Sequence, residues 1–329
     1  MEERSILVVR AAELRELVAP AEAVAVAHDA FARLWRGAVE QPDVLSLELP
    51  AHRGEVHAKG AYLHGAPTFA IKVASGFYDN PARGLPVSAG AVWVFDAATG
   101  LLRAILLDDG LLTELRTGAA GALSTRLLAR APVGTVAVVG AGGQARHQLR
   151  ALATVCAPRQ VRLWARRAEA AARCAAELSQ ELGLPVEPVA SPADCVRGAD
   201  VVITTTPSRE PLVRAEWVAP GTHVVAVGSD MPGKVELDPA LLGRATVVAD
   251  RLAQCREQGE VAAALRAGTI AEADVVELGA IAAGDAPGRR RDDEITVADL
   301  TGVGALDAAI AALALERARA AGAGERLRP

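Results

Sequence analysis

Cysteine is scarce in this sequence of 329 residues, and its four copies are isolated from one another. No Cys-X-X-Cys pair occurs, and no histidine lies at metal-ligand spacing from a cysteine. The spacing therefore predicts neither a disulfide framework nor a zinc site. The six histidines are scattered and form no recognisable triad with a serine or a cysteine. We expect reduced cysteines and no bound metal.

Long apolar runs and clusters of positive charge are also missing. No apolar run is long enough to span a membrane, and the first residues include acids where a secretory signal needs bases. The net charge is −5, and the lysines and arginines are scattered among acids, which argues against nucleic acid as a partner. The sequence therefore predicts a cytoplasmic protein that binds neither nucleic acid nor membrane.

The order of the predicted elements indicates a fold of the α/β class. Short alternating runs between residues 44 and 107, separated by turn residues, predict an antiparallel or mixed sheet. After residue 135, strands and helices alternate, with a strand at 160–164 and a helix at 168–182. Such alternation is typical of the doubly wound parallel sheet of a Rossmann domain.

The length of the chain predicts two domains. We expect an α+β domain at 1–121, to which the C-terminal segment 305–329 returns, and the Rossmann domain at 122–304. The last residues, 322–329, follow the final predicted helix and are expected to be frayed.

A glycine turn between a predicted strand and a predicted helix is the strongest motif in the chain. Gly140 permits the tight turn, Gly142 lets the backbone approach a pyrophosphate, and Ala145 allows the helix to lie close to the strand. The N–H groups at the start of the helix then face the anion. The motif predicts a dinucleotide site. The predicted contacts in this turn are Gly140, Gly142, Gly143, Gln144 and Ala145.

The end of the second strand, about twenty residues past the turn, predicts which dinucleotide binds. An NAD enzyme usually has an acid there, but this chain has Ala165, Arg166 and Arg167. Two guanidinium groups can bind a 2′-phosphate by charge-assisted hydrogen bonds, whereas an acid would repel it. NADP(H) is therefore favoured over NAD(H). The alternative is that the two arginines are solvated charges beside the following helix.

Lys72 lies in a predicted strand at 68–74, where alternation places it on the same face as Ala70 and Ala74. Burying an ammonium group costs free energy unless an anion compensates. The position therefore indicates a lysine that binds a substrate carboxylate or takes part in catalysis. The alternative is a lysine on an edge strand that reaches solvent.

Arg116 precedes Thr117, which is expected to cap a helix at 117–131. A cation at the start of a helix opposes the helix dipole. The position is therefore favourable if an anion, from a substrate carboxylate or a cofactor phosphate, lies beside it. The alternative is an ordinary surface salt bridge.

Asp230 follows a predicted strand at 222–227. Ligands bind at the C-terminal ends of strands in such folds, and a carboxylate there could exchange a proton with an amine or imine. The alternative is that Asp230 caps the local turn.

Taken together, these segments resemble the ornithine cyclodeaminase/mu-crystallin family across nearly the whole chain. Residues 76–81 and 84–86 are most similar to the ectoine-utilisation branch of that family. The matching segments are 70–77 (AIKVASGF), 115–120 (LRTGAA), 139–146 (VGAGGQAR), 228–237 (GSDMPGKVEL) and 299–304 (DLTGVG).

The resemblance implies a homodimer whose N-terminal sheets form the interface. It implies that Lys72 and Arg116 hold the substrate and its carboxylate, and that Asp230 is the general acid or base. The residues it implies around the cofactor are Arg116, Thr117, Gly142, Gln144, Ala145, Arg166, Arg167, Thr206, Val227, Lys234, Thr301 and Gly302.

Two positions depart from the family pattern. Many members have a carboxylate-binding arginine near the position of Val44, and this chain has none there, which makes Lys59 the candidate to replace it. The second departure is the pair of arginines after Ala165, since the NAD-dependent cyclodeaminases usually have an acid in that region.

The sequence predicts an NADP(H)-dependent reductase of imines or imino acids that also runs in reverse as an amine or amino-acid dehydrogenase. One alternative is a cyclodeaminase, which releases ammonia and consumes no cofactor overall. Another is a non-catalytic ligand-binding protein of the mu-crystallin kind.

Overall fold

The computed structural model describes residues 5 to 328, apart from the side chain of residue 81. Within it the chain divides into two compact units. Unit 1 contains the residues up to Arg116 together with those from Val303 onward, and unit 2 is Thr117–Gly302. The expected boundaries at 121/122 and 304/305 lie five and two residues further along the chain. A continuous helix runs through both N-terminal boundaries, so no loop in the sequence marks the division.

The strands and helices are numbered in chain order over the described residues. The strands are β1 (Ile6–Arg10), β2 (Val39–Glu40), β3 (Leu45–Leu49), β4 (Gly54–Leu63), β5 (Thr68–Phe77), β6 (Ser88–Asp96), β7 (Leu102–Leu107), β8 (Thr135–Val139), β9 (Gln160–Trp164), β10 (Val186–Pro188), β11 (Val201–Thr204), β12 (His223–Ala226), β13 (Thr246–Ala249), β14 (Val275–Glu277), β15 (Thr296–Asp299) and β16 (Glu325–Leu327). The helices are α1 (Ala11–Leu17), α2 (Pro20–Trp35), α3 (Leu111–Leu128), α4 (Gly143–Leu152), α5 (Ala168–Leu182), α6 (Pro192–Val196), α7 (Pro239–Leu242), α8 (Leu252–Cys255), α9 (Gly259–Ala267), α10 (Leu278–Ala282) and α11 (Gly304–Ala321). Over the same residues, no helix combines the length and the apolar character that crossing a membrane requires.

Unit 1 contains a mixed sheet, as the alternating runs predict. Its strands follow the order β16-β1-β7-β6-β5-β4-β2, with β3 also paired to β4. The pair of β1 and β7 is parallel and the other pairs are antiparallel. Helix α11 packs against β4, β5 and α2. Because β16 pairs with β1, the expectation of a frayed tail from residue 322 is wrong.

The tail is ordered because backbone hydrogen bonds hold it. Gly322 ends α11 in the left-handed conformation, which glycine adopts at little cost. The chain then turns, and Glu325–Leu327 pairs with β1. The three paired residues are exposed, so the segment shows no apolar pattern that would predict a strand.

Strand β5 lies inside the sheet of unit 1, between β4 and β6. The predicted alternation is confirmed, since Ala70 and Lys72 are buried whereas Ile71 is 38% exposed. Lys72 is therefore not an edge-strand lysine that reaches solvent.

The sheet face that carries Ile71 is apolar and is exposed at several positions. Ile71 pairs with Gly60 and Trp93, and Leu45 and Leu47 of β3 lie on the same face. Leu45 is 57% exposed and Leu47 is 56% exposed. Antiparallel sheets often leave one face to solvent, but that face is normally polar. An exposed apolar face of this kind indicates an interaction surface.

Unit 2 is a doubly wound parallel sheet, as predicted. Its order is β10-β9-β8-β11-β12-β15-β13-β14, and all pairs are parallel. The bounds of β9 and α5 agree with the predicted strand at 160–164 and helix at 168–182. The order reverses between β8 and β11, and a crevice for ligands is expected at such a switch point.

The helix predicted at 117–131 begins earlier than expected. Helix α3 starts at Leu111, where the N–H of Leu112 donates to the carboxylate of Asp108 at 2.9 Å. Thr117 therefore lies inside the helix and is not its N-cap. The prediction failed because it started the helix at a threonine, whereas an aspartate further upstream binds the first free N–H groups.

Candidate functional site

Lys72 is the centre of a buried polar cluster in unit 1. Its side chain is on β5 and the residue is 4% exposed. The Nζ atom donates to the hydroxyl of Thr113 at 3.0 Å and to Oδ1 of Asp307 at 2.8 Å. A buried ammonium group is tolerated because an anion compensates its charge.

Asp307 also binds the second predicted cation. Arg116 is 7% exposed, and its Nε donates to Oδ1 of Asp307 at 3.0 Å. The structure thus brings Lys72 and Arg116 to one carboxylate oxygen. The alternative of a surface salt bridge is wrong for Arg116, and the helix-dipole argument is wrong as well because Arg116 lies inside α3.

The electrostatics of the cluster favour an additional anion. Burial lowers the pKa of Lys72 to about 8, and only part of this effect is offset by Asp307. Burial disfavours the charged form of Asp307, but the neighbouring cations Lys72, Arg116 and Lys59 outweigh it and lower its pKa. Its second oxygen, Oδ2, is buried and has no hydrogen-bond partner in the described part of the chain.

Asp307 was missed by the reasoning from sequence. It lies on α11 and is 3% exposed. A signal was present, since Asp307 is the one acid in the otherwise apolar stretch 303–315. A lone acid on the buried face of a helix is expected to pair with a cation.

Lys59 joins this cluster from the neighbouring strand. It lies on β4 directly opposite Lys72 on β5, so the two side chains leave the same face of the sheet. Its positive charge contributes to lowering the pKa of both Lys72 and Asp307. The three residues predicted to bind substrate therefore lie in one region of unit 1.

The glycine turn lies at the switch point of unit 2. A cavity of about 330 Å³ opens there, between the loops that follow β8, β9 and β11. Nine of the fifteen predicted cofactor residues do not line this cavity. The predicted residues that line the cavity are Gly140, Gly142, Ala165, Arg166, Arg167 and Thr206.

The two glycines of the turn have different physical roles. Gly140 has a φ of 131°, and a side chain there would collide with the hydroxyl of Thr205. A Cβ at Gly142 would meet no atom within 4 Å and would project into open space. The backbone beside this space leads directly into the first residue of helix α4. The turn therefore fits the pyrophosphate of a dinucleotide at the start of a helix.

Arg166 and Arg167 lie where a 2′-phosphate group is predicted to bind. Both are exposed and both line the cavity. In the described part of the chain, neither guanidinium group forms an ion pair with a side chain. Their hydrogen-bonding groups are thus available to an anionic ligand.

Other predicted cofactor residues have structural contacts of their own in unit 2. Gly143 and Gln144 begin α4, and Ala145 is fully buried beneath the turn. Four further residues form hydrogen bonds within unit 2. The carbonyl of Thr117 accepts from Gln148, the N–H of Val227 donates to Thr204, and Asp250 accepts from the hydroxyl of Thr301 and the N–H of Gly302.

Asp230 lies in the loop after β12, as predicted. Its side chain is 52% exposed and accepts a hydrogen bond from Lys234 at 2.7 Å. Lys234 is much less exposed, at 11% of its side chain. The structure therefore places these two predicted residues together and not in the cavity at the glycine turn.

Two buried acids hold this loop, and neither was predicted from the sequence. Glu236 accepts from the N–H of Thr206 at 2.6 Å and from the N–H of Gly228 at 2.8 Å. Glu260 accepts from the N–H of Glu236 at 2.8 Å. Burial and the negative charge of Glu260 raise the pKa of Glu236 to about 7. The acids thereby connect the ends of β11 and β12.

Comparison with known proteins assigns the family. Residues 4–322 match the profile of the ornithine cyclodeaminase/mu-crystallin family. The chain belongs to this family. The resemblance inferred from the motifs is thereby confirmed, and so is the α/β fold with its Rossmann domain.

Two curated relatives match almost the whole of this chain. A protein of Rhizobium meliloti, provisionally named a dehydrogenase, is 50% identical over 95% of this chain and 96% of its own length. The iminosuccinate reductase of Paracoccus denitrificans is 37% identical over 95% of this chain and 97% of its own length.

Two solved structures are also similar over the whole chain. An archaeal alanine dehydrogenase dimer with bound NAD has 33% identity and a TM-score of 0.93, with 98% of this chain and 99% of that chain covered. The Δ1-pyrroline-2-carboxylate reductase of Thermococcus litoralis, in complex with NADH and L-proline, has 30% identity and a TM-score of 0.94. The alignment covers 98% of this chain and 100% of the reductase chain.

Each unit of this ornithine cyclodeaminase/mu-crystallin family member thus has a distinct binding chemistry. Unit 1 presents two buried cations that share one carboxylate oxygen, which suits a small carboxylate ligand. Unit 2 presents a glycine turn, a helix start and two arginines, which suit the phosphate groups of a dinucleotide.

Proposed function

We propose that this chain is an NADP(H)-dependent reductase of imino acids that also acts in reverse as an amino-acid dehydrogenase. The observation that carries the proposal is the buried cluster in which Lys72 and Arg116 share Asp307. Two desolvated cations with one carboxylate between them attract a second, external carboxylate. A substrate of this enzyme therefore bears a carboxylate beside the reacting C=N bond.

The residues of unit 1 bind and orient the substrate. Lys72 and Arg116 donate hydrogen bonds to the substrate carboxylate, and their burial makes this interaction stronger than it is in water. Asp307 keeps both cations in position. When bound in unit 2, the nicotinamide supplies or accepts the hydride. Fixing the carboxylate restricts the imine to a single orientation for reduction.

Asp230 is proposed as the general acid. A protonated imine accepts a hydride more readily than a neutral imine, so an acid near the nitrogen accelerates reduction. Support comes from its place at the C-terminal end of β12, the sheet edge where α/β proteins bind ligands. The pair with Lys234 at 2.7 Å positions this carboxylate. Asp230→Asn is expected to lower kcat while the cofactor still binds.

The preference for NADP(H) is a second part of the proposal. Arg166 and Arg167 line the cavity beside the glycine turn and form no ion pair with a described side chain. Each charge-assisted hydrogen bond to a phosphate contributes about 1.5–3 kcal/mol. The variant with Arg166→Ala and Arg167→Ala is therefore expected to raise the Kd for NADPH at least about tenfold. Its Kd for NADH should change little, and equal affinities in the wild type would contradict the preference.

The proposed reaction can be separated from its main alternative in one assay. The purified protein is mixed with NADPH or NADH and Δ1-pyrroline-2-carboxylate, and with ornithine and either oxidised cofactor, while nicotinamide absorbance and ammonia are followed. Stoichiometric oxidation of NADPH by the imine supports the reductase. Release of ammonia from ornithine without net change in nicotinamide absorbance would show a cyclodeaminase. Cofactor binding without either reaction would indicate a ligand-binding protein.

The oligomeric state is proposed from the exposed apolar face of unit 1. Leu45, Leu47 and Ile71 lie on one face of the sheet and are more than one-third exposed. Their burial against a second copy of the chain would form an isologous interface of a homodimer. The similar archaeal alanine dehydrogenase is a dimer.

A cytoplasmic location also stays a prediction, which cell fractionation would check.

A further inference from the structure

The two residues that precede Asp230 are each bound to a buried acid of unit 2. The N–H of Gly228 donates to Oε2 of Glu236 at 2.8 Å, and the hydroxyl of Ser229 donates to Oε1 of Glu260. Both acids are buried. The backbone that leads into Asp230 is therefore fixed at two consecutive residues, although the side chain of Asp230 itself is 52% exposed.

Glu236 joins this backbone to the loop that borders the cavity at the glycine turn. Its Oε1 accepts from the N–H of Thr206 at 2.6 Å and from the hydroxyl of the same residue at 2.7 Å. Its Oε2 accepts from the hydroxyl of Thr204 at 2.7 Å as well as from the N–H of Gly228. These donors fill the acceptor sites of one carboxylate. Since Thr206 lines the cavity, one side chain holds both the cavity wall and the backbone beside Asp230.

The close contact between the two loops depends on the glycine at position 228. A Cβ built at Gly228 would collide with the backbone of Thr206 and with the carboxyl group of Glu236. A residue without a side chain therefore lets the loop of Asp230 approach the cavity wall closely enough to share the carboxylate of Glu236.

This pair of acids has an electrostatic cost. Glu260 accepts from the N–H of Glu236 at 2.8 Å and from the N–H of Leu237 at 3.1 Å. All donors to the two carboxylates named here are neutral N–H or hydroxyl groups, and the charge of Glu260 contributes to raising the pKa of Glu236. Burying like charges without a cation costs folding free energy. A functional reason for the arrangement is therefore expected.

We propose that Glu236 and Glu260 are positioning residues for Asp230, so that its carboxylate stays within reach of the imine nitrogen. This inference rests on the proposed function, in which Asp230 is the general acid, and adds the groups that fix its place. Both acids are buried and act through Asp230. A general acid must lie within hydrogen-bond reach of the atom it protonates. A displacement of about 1 Å can slow a reaction about a hundredfold.

The test removes the charge of Glu236 and keeps the size of its side chain. In Glu236→Gln, the amide NH2 group can donate to a threonine hydroxyl, but it cannot accept from the N–H of Thr206 or Gly228. Either orientation of the amide breaks the connection between the two loops. The single-turnover rate of NADPH oxidation by saturating Δ1-pyrroline-2-carboxylate, per NADPH site, is expected to fall at least about tenfold. The KM for the imine should stay within about threefold, because the substrate carboxylate binds in unit 1.

A double-mutant cycle shows whether Glu236 acts through Asp230. Asp230→Asn removes the acid and is expected to lower the rate by itself. Adding Glu236→Gln to Asp230→Asn should then change the rate by less than about twofold, whereas two independent effects would multiply. Ser229→Ala releases only the contact with Glu260 and is expected to lower the rate about threefold, again only when Asp230 is present. This milder variant tests the proposal even if Glu236→Gln does not fold.

Two control variants separate positioning from stability. Thr204→Val removes a hydroxyl that donates to Glu236 but leaves the N–H groups of both loops in place. It is expected to lower Tm without slowing the single turnover. Glu187→Gln makes the same chemical change as Glu236→Gln at an exposed position of β10 and should alter neither quantity.

The outcomes separate the positioning role from the reaction. If Glu236→Gln and Ser229→Ala leave the rate unchanged, or if their effects are equally large with and without Asp230, the inference is overturned and the reductase function stands. If Asp230→Asn itself does not slow the reaction, the assignment of the general acid fails and the inference fails with it. If the wild type oxidises no NADPH with the imine, the proposed reductase function fails as well.

Discussion

Asp307 is the group whose replacement tests the proposed substrate-binding cluster most directly. Asp307→Asn keeps the size of the side chain and removes the negative charge that lies 2.8 Å from Lys72 Nζ and 3.0 Å from Arg116 Nε. Burial lowers the pKa of Lys72 to about 8, and Asp307 is the strongest influence in the opposite direction. Without Asp307 the pKa of Lys72 therefore falls further.

The size of the effect follows from the contacts that are lost. A hydrogen bond to a charged group contributes about 1.5–3 kcal/mol, and a shift of one pH unit in a pKa corresponds to about 1.4 kcal/mol. We expect the pH at which Lys72 loses its proton to fall by about one to two units. Removing one side of a buried ion pair costs about 3–5 kcal/mol in the free energy of unfolding. Since Asp307 serves two cations, the upper part of this range is expected.

The pH dependence has a definite sign. In the proposed function, charged Lys72 binds the substrate carboxylate. We therefore expect kcat/KM of the wild type to fall as pH rises through about 8, and kcat/KM of Asp307→Asn to fall at lower pH. Stability has the opposite trend. The ordinary pKa of 10.5 applies to the unfolded chain, so between about 8 and 10.5 the unfolded chain binds more protons and the free energy of unfolding rises with pH.

The assay measures kcat/KM with Δ1-pyrroline-2-carboxylate between pH 6 and 10, together with urea unfolding at pH 7. Dividing the values of the variant by those of the wild type at each pH cancels the titration of the substrate itself. Asp29→Asn is the control, because it makes the same chemical change at a side chain that is 59% exposed. If kcat/KM falls at the same pH in Asp307→Asn as in the wild type, the reasoning that Asp307 sets the charge of Lys72 is refuted.

Two further predictions concern the cofactor site and the subunit interface. Gly142→Ala adds a methyl group that meets no atom within 4 Å, so we expect an unchanged Tm but a Kd for NADPH raised at least about tenfold. Gly140→Ala is the matched control: φ is 131° at this position, so this variant should lower Tm. An unchanged Kd for NADPH in Gly142→Ala would show that no pyrophosphate lies against the turn. Leu47→Asp places a charge on a face where Leu47 is 56% exposed, and light scattering is expected to show monomers of 34.0 kDa in place of dimers. A dimer that persists in this variant would exclude this face as the interface.

Local signals explain why much of unit 2 could be predicted from the sequence. Strand β9 and helix α5 have the predicted bounds, since the alternation of polar and apolar residues in β9 and the alanine-rich run in α5 are local patterns that favour these conformations. The turn at Gly140 was predicted for a similar reason. A φ of 131° is accessible to glycine and rarely to other residues, so the residue type reports the backbone conformation.

Two other features of the fold were not predicted from the sequence. The exposed segment Glu325–Leu327 forms a strand only because β1 offers it backbone hydrogen bonds. Helix α3 begins at Leu111 because the carboxylate of Asp108 binds an N–H there, while the equally plausible cap at Thr117 is inside the helix. In both cases the local sequence allowed more than one structure, and packing selected one.

The sequence by itself determined the family and the α/β fold, and it contains the residues that we propose bind a dinucleotide and a carboxylate, because motifs and periodicity are local properties of the chain. Only the tertiary structure decided which of these residues meet. Lys72 and Arg116 lie 235 and 191 positions from Asp307, and no local pattern relates them. They share one carboxylate oxygen because α11 returns to the sheet that carries Lys72 and because a buried charge must find its counter-charge wherever the fold supplies one.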